Sequence, residues 1–134
     1  MKTLKPNIKI IGVEPEGSAK TKESLKAGKP ITLDEVSTLA DGLATRKLGE
    51  IPFGIIQQLV DEVVIVNDDD IAKAIVFGVE RCNTVLEGAG ATALASLLSN
   101  KVEVAGRNVA VILSGGNIDR SLLSKILTPP TLGS

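Results

Sequence analysis

The chain has 134 residues, enough for one domain with its own core, and 43% of them are apolar and 23% charged, the balance of a soluble globular protein. A net charge of −1 with no basic cluster argues against a nucleic-acid partner, and no apolar run approaches the about 18 residues that a membrane span needs. There is no His and one Cys, so a His-based triad, a His-ligated metal and an internal disulfide are excluded within the chain, and with no Trp or Tyr and only Phe53 and Phe77 the sequence argues against aromatic stacking on bases.

In chain order, Met1–Pro6 suits the last turn of a helix with its proline stop. MKTLKPNIK has no signal-peptide core, and this, with a single reduced cysteine, predicts a cytoplasmic location. Residues 8–13 (IKIIGV) read as a strand buried on both faces, ended by Glu14-Pro15. Ser18 or Thr21 is expected to cap a short helix running through Leu25 and closed by Gly28. Residues 29–48 lack a period and read as a long surface-and-site loop containing Ala40-Asp41-Gly42.

From Glu50 to Val60, Ile51, Ile55, Ile56, Leu59 and Val60 fall on one helical face, with Pro52 tolerated in the first turn. Residues 63–66 form a short β-branched strand. Asn67 is a good N-cap, and Asp68, Asp69 and Asp70 complement the positive end of the helix that follows, a reading preferred to a divalent-cation site. That helix extends to about Asn83 with Ile71, Ala74, Ile75, Gly78, Val79 and Cys82 on one stripe, so Cys82 is expected in the core. A small-residue helix begins near Thr92, and a polar loop spans 99–107.

Residues 108–113 (NVAVIL) read as a buried strand that stops at Ser114, where Gly115-Gly116 turn the backbone and Asn117 and Asp119 cap a last helix over 121–127. A strand ending in a hydroxyl and two glycines places a polar atom and bare backbone at the carboxyl edge of a sheet, where open α/β folds bind ligands; a tight turn with no ligand is the competing reading. Residues 128–134 are expected to be a disordered tail. The alternation of strands and helices predicts α/β layers with a largely parallel sheet, and three strands are few for a sheet covered on both faces, which suggests an incomplete portion of a domain.

Gly88-Ala89-Gly90-Ala91-Thr92-Ala93 fits the G-x-G-x-x-A dinucleotide fingerprint, but no confident strand precedes it and no acidic residue follows at the required distance; close helix packing through small residues explains it better. Glu87, at the mouth of that turn, is either a general base or cofactor contact or a plain capping residue. Asp41-Gly42 is either a site element or a simple turn.

Taken together, VEPEGS (13–18), ADGLA (40–44), EVVIVNDDDI (62–71), VLEGAGATAL (85–94) and VILSGGNID (111–119) resemble the threonine dehydratase family of fold-type II pyridoxal-phosphate enzymes, which includes threonine ammonia-lyase, serine dehydratases and serine racemase. The resemblance covers residues 2–126 and implies a parallel-sheet, three-layer αβα domain of the tryptophan synthase β-like type, with residues 1–127 as the C-terminal part of its catalytic region. It implies that Ser114 hydrogen-bonds the pyridine nitrogen of pyridoxal phosphate, that Gly42 lies against the ring face, that Gly115 belongs to the same cofactor-binding block, and that Glu87 sits near the ring. Some relatives hold a divalent cation through positions matching Glu14, the Ser18 carbonyl and residue 20; here residue 20 is Lys where an aspartate belongs, so no metal is expected.

The family's Schiff-base lysine and glycine-rich phosphate loop have no counterpart in this chain, so the resemblance places no catalytic residue here and predicts that the chain alone neither binds the cofactor nor acts. The intact enzyme would take a small amino-acid substrate, threonine or serine, as a homo-oligomer, without nucleic acid or membrane partners. A non-catalytic assembly module needing a partner chain, dinucleotide binding, and a racemase activity in the intact protein are the alternatives.

Overall fold

The computed structural model describes residues 1–128. Its centre is a parallel pair of strands, β1 (Ile11–Pro15) and β2 (Glu62–Val66), in register from Ile11 opposite Glu62 to Pro15 opposite Val66. Between them run α1 (Lys20–Ala27), a long loop containing a 3-10 turn at Asp41–Leu43, and α2 (Glu50–Leu59). After β2 come α3 (Asp68–Cys82), α4 (Gly88–Leu98) and α5 (Arg120–Leu127).

Residue chemistry explains most of these boundaries. Asn67 accepts a hydrogen bond from the Asp70 amide and starts α3, with three carboxylates in the first turn against its positive end. Asp119 accepts from the Ser121 and Leu122 amides and starts α5. Gly28, at φ +69°, closes α1 in the left-handed conformation that a glycine adopts without penalty. The carboxylate of Asp61 accepts from the Ile10 amide at 2.7 Å and pairs with Lys2, holding the approach to β1 beside the start of β2.

The core lies where α3 and α4 meet each other and the strands. Ile71, Ala74 and Ile75 of α3 pack with Ala91 and Ala95 of α4, Leu86 between the two helices, Val66 of β2 and Ala40 of the long loop. The small residues of α4 let the helices approach closely, as does Gly78, where a methyl group would stand 3.0 Å from Leu86. Leu123 and Ile126 bring α5 against this core.

Several sequence expectations change. The first strand is displaced from 8–13 to Ile11–Pro15, because the backbone of Ile10 is engaged by Asp61 and the ladder with β2 begins only at Ile11. Neither Ser18 nor Thr21 caps α1; its amides at Thr21 and Lys22 donate instead to the carboxylate of Glu14, a capping group reaching across from β1. Residues 108–113 are not a strand. β1 and β2 pair only with each other among the described residues, and Ile112 is 70% exposed; hydrophobicity marks a segment that seeks cover, whereas a strand also needs a neighbouring backbone to bond. The apolar face of α2 is likewise open, with Ile51 78% exposed and only Phe53 buried in that helix. Cys82 is exposed because the stripe of α3 leaves the core after Gly78 and the chain turns at Asn83. The helix α4 starts at Gly88, four residues before the expected position, so the glycines of the fingerprint form its first turn. The expected tail lies outside the described residues except for Thr128. No helix among the described residues is long and apolar enough to cross a membrane.

Candidate functional site

Three segments far apart in sequence meet at the first turn of α4. The first is the Asp41–Leu43 turn, whose Gly42 faces that helix so closely that a methyl group on it would stand 3.1 Å from the Ala89 side chain. The second is the helix start itself. Glu87 occupies the N-cap position, yet its side chain bonds no amide of the helix, so the capping role is absent and its half-buried carboxylate is free of that duty. The third is Ser114-Gly115, with Gly115 at φ +69° and its Cα pressed against the Glu87 carboxyl group. The Ser114 carbonyl in turn lies against Gly90, and a Cβ at either glycine would overlap these groups.

The four candidate residues, Gly42, Glu87, Ser114 and Gly115, are therefore brought to one junction. Missing side chains allow this meeting: Gly88, Gly90 and Gly115 let neighbouring groups approach where any larger residue would collide. A methyl group on Gly88 would stand 2.6 Å from the Leu39 carbonyl oxygen. The reading of Gly88-Ala89-Gly90 as close packing is the one the geometry supports, and no strand precedes it, so the dinucleotide fingerprint lacks its context. Ser114 is exposed, leaving its hydroxyl open to a ligand.

The Gly42 loop is held from two sides, by residues that the sequence reading did not assign to the site. On one side Asp68 accepts from the Thr38 hydroxyl at 2.6 Å and the Leu39 amide at 2.8 Å. One of the three acidic residues at the head of α3 thus braces a loop thirty residues earlier. On the other side the Leu43 carbonyl accepts from the Ser18 hydroxyl at 2.8 Å and the Lys20 ammonium at 3.0 Å. The only sequence signal for either brace was the polar type of residues in otherwise buried surroundings, which becomes visible once the loop is seen to cross them.

Glu14, Ser18 and Lys20 also meet, but not as a metal site. Lys20 Nζ lies 3.8 Å from Glu14 Oε1 and 3.3 Å from Ser18 Oγ, so an ammonium stands among the oxygens that an ion would need. Among the described residues no group of three or more His, Cys, Asp or Glu is placed to hold a metal, Asp68–Asp70 included. A groove of about 450 Å³ runs along β2 beside Glu16, Lys22 and Lys101, and none of the four candidate residues lines it.

A family model, pyridoxal-phosphate dependent enzyme, matches residues 1–115. The chain belongs to this family. It is 41% identical over 127 residues to an L-threonine ammonia-lyase of Thermotoga maritima, covering 95% of this chain and 31% of that protein. It is 46% identical over 123 residues to an L-threonine ammonia-lyase of Geobacter sulfurreducens, covering 91% and 30%. Among solved structures, the processed threonine deaminase isoform 2 of Solanum lycopersicum superposes with a TM-score of 0.83 at 39% identity, over 93% of this chain and 37% of that one. Maize serine racemase superposes with a TM-score of 0.84 at 34% identity, over 92% and 39%.

The chain thus has the fold of the fold-type II pyridoxal-phosphate enzymes and spans about a third of the length of the relatives it matches. The junction brings together the backbone of Gly42, an exposed Ser114 and a half-buried Glu87.

Proposed function

We propose that this chain forms the ring-nitrogen side of a pyridoxal-phosphate site in an ammonia-lyase that converts L-threonine or L-serine to a 2-oxo acid and ammonia. The observation that carries this reading is the meeting of Gly42, Glu87, Ser114 and Gly115 at the first turn of α4. The names of the relatives supply the substrate class. Pyridoxal phosphate, when bound, supplies the electron sink that acidifies the α-proton and lets the β-hydroxyl leave.

Each residue then has a distinct task. Ser114 would hold the pyridine nitrogen of the bound group with a neutral hydroxyl, which would not keep that nitrogen protonated as a carboxylate would. Gly42 keeps one face of the ring clear. Gly115 turns the backbone so that Ser114 presents its hydroxyl and Glu87 stays beside it. Glu87, excused from capping, is the group on this side that can hold or pass a proton. Residues 1–127 act as the C-terminal part of the catalytic region, in a cytoplasmic homo-oligomer acting on a small amino acid. The Schiff-base lysine and phosphate loop come from outside this chain, so the chain alone is inactive.

The test is 2-oxobutanoate formation from L-threonine by the complete protein, with and without Ser114→Ala. Loss of at least tenfold in kcat, with the fold retained, is expected; full activity in Ser114→Ala refutes the role of Ser114. The likeness to maize serine racemase supports a second reading, in which the intact protein also interconverts serine enantiomers. D-serine formed from L-serine, in excess over pyruvate, decides for that reading.

A further inference from the structure

We infer that the ammonium of Lys20 is a built-in cation that positions the cofactor-facing loop, making this site independent of any divalent ion. Lys20 is buried, only 8% exposed, and so is Glu14. Burying a lysine ammonium is costly unless its charge and its protons are satisfied. Here they are: Nζ bonds the Leu43 carbonyl at 3.0 Å and Ser18 Oγ at 3.3 Å, and faces Glu14 Oε1 at 3.8 Å.

Every one of these partners is itself committed. Glu14 spends its lone pairs on the Thr21 and Lys22 amides, and Ser18 is fully buried and donates to Leu43 and more weakly to Thr45. The cluster therefore joins β1, the start of α1 and the loop of Asp41–Leu43 through one positive charge. Leu43 follows Gly42 directly, so the point of attachment is one residue from the position that faces α4.

A protein oxygen cluster with a cation at its centre is the arrangement a metal ion would otherwise produce. A tethered ammonium cannot dissociate, and it repels a divalent ion from the same oxygens. Lys20 is accordingly a positioning residue: it acts on the cofactor site through Leu43 and touches no reacting group. The consequence for the cofactor rests on the proposed function above; the hold on the loop does not.

Two measurements on the complete protein test this separately. In hydrogen exchange, the amides of Leu43, Ala44 and Thr45 are hydrogen-bonded within the turn. Lys20→Met is expected to speed their exchange roughly tenfold, the effect of losing a charged hydrogen bond, and 0.2 M ammonium or potassium chloride, but not sodium sulfate buffer lacking both, restores part of it. Unchanged exchange overturns the inference. In thermal denaturation, the unaltered protein is expected to show the same Tm in EDTA, in magnesium and in calcium; a rise in Tm on adding either ion overturns it without relying on any variant. Lys20→Asp is expected to reverse the behaviour and gain a calcium-dependent rise in Tm. If exchange responds as stated while cofactor absorbance and affinity do not, the positioning role stands and the assignment of Gly42 to the cofactor site fails.

Discussion

A methyl group on Gly90 would overlap the Ser114 carbonyl, although Gly90 sits inside a helix where alanine is ordinarily the better residue. Gly90→Ala therefore sets two effects against each other. The gain in helix propensity is about 0.5–1 kcal/mol, whereas forcing the Ser114 segment aside costs about 1–3 kcal/mol. The clash should win, lowering Tm and weakening cofactor binding in the complete protein. Gly54 in α2 is the control: nothing lies within 4 Å of its missing Cβ, so Gly54→Ala should stabilise by about 0.5–1 kcal/mol. Equal responses at the two positions, read by thermal denaturation, would contradict the packing argument. The sequence showed that Gly90, like Gly42 and Gly115, stood in a family-like block. It did not show what each one touches, because contact partners lie tens of residues away.

At the scale of elements, Asp68 and Asp119 both head helices and do different things. Asp68 spends its carboxylate on Thr38 and Leu39, tying the start of α3 to the loop that carries Gly42. Removing it in Asp68→Ala leaves a part-buried hydroxyl and an amide without their acceptor, for a loss of about 1–3 kcal/mol. Faster hydrogen exchange at Leu39 and Ala40 should accompany that loss; slow exchange there would show that the loop is held by packing alone.

Asp119 acts within its own helix. The Ser121 hydroxyl, then the Leu122 and Ser121 amides, hold its carboxyl below the ordinary value of 3.8. A lowered folded-state value means the cap's contribution is complete above the ordinary value and disappears as pH falls through the lowered one. The start of α5 should therefore fray only in strong acid, below about pH 3.8. Amide signals of Ser121 and Leu122 followed by NMR against pH check this, and fraying already at pH 5 would contradict it.

Across the whole molecule, the unpaired segment 108–113 and the open face of α2 have one physical meaning. Both are apolar, the first was expected to be a buried strand, and Val109, Ile112, Leu113, Ile51, Ile55 and Leu59 are all exposed. Apolar patches of this kind mark surfaces that seek a partner. The chain spans only about a third of the length of the relatives it matches, and these faces are where a further polypeptide surface would pack. Residues 1–134 expressed alone should accordingly self-associate or bind a hydrophobic dye, and should form no 2-oxobutanoate above background. Monomeric behaviour with threonine turnover would contradict both statements.

Much of this protein was determined by local chemistry. Asn67, Asp119 and Gly28 mark helix ends because capping is decided within a few residues. The β-branched run at 63–66 and the stripe of α3 through Gly78 emerge because period 2 and period 3.6 are properties of the chain itself. The block order was also enough to indicate the family. Tertiary structure alone decided the rest: that Glu14 caps α1 from the neighbouring strand, that Lys20 fills a cation's place, that Asp68 braces the Gly42 loop, and that residues 108–113 form no strand among the described residues. Each depends on a partner distant in sequence. A hydrogen bond or a close backbone approach requires two groups at one point in space, and only the fold brings them there.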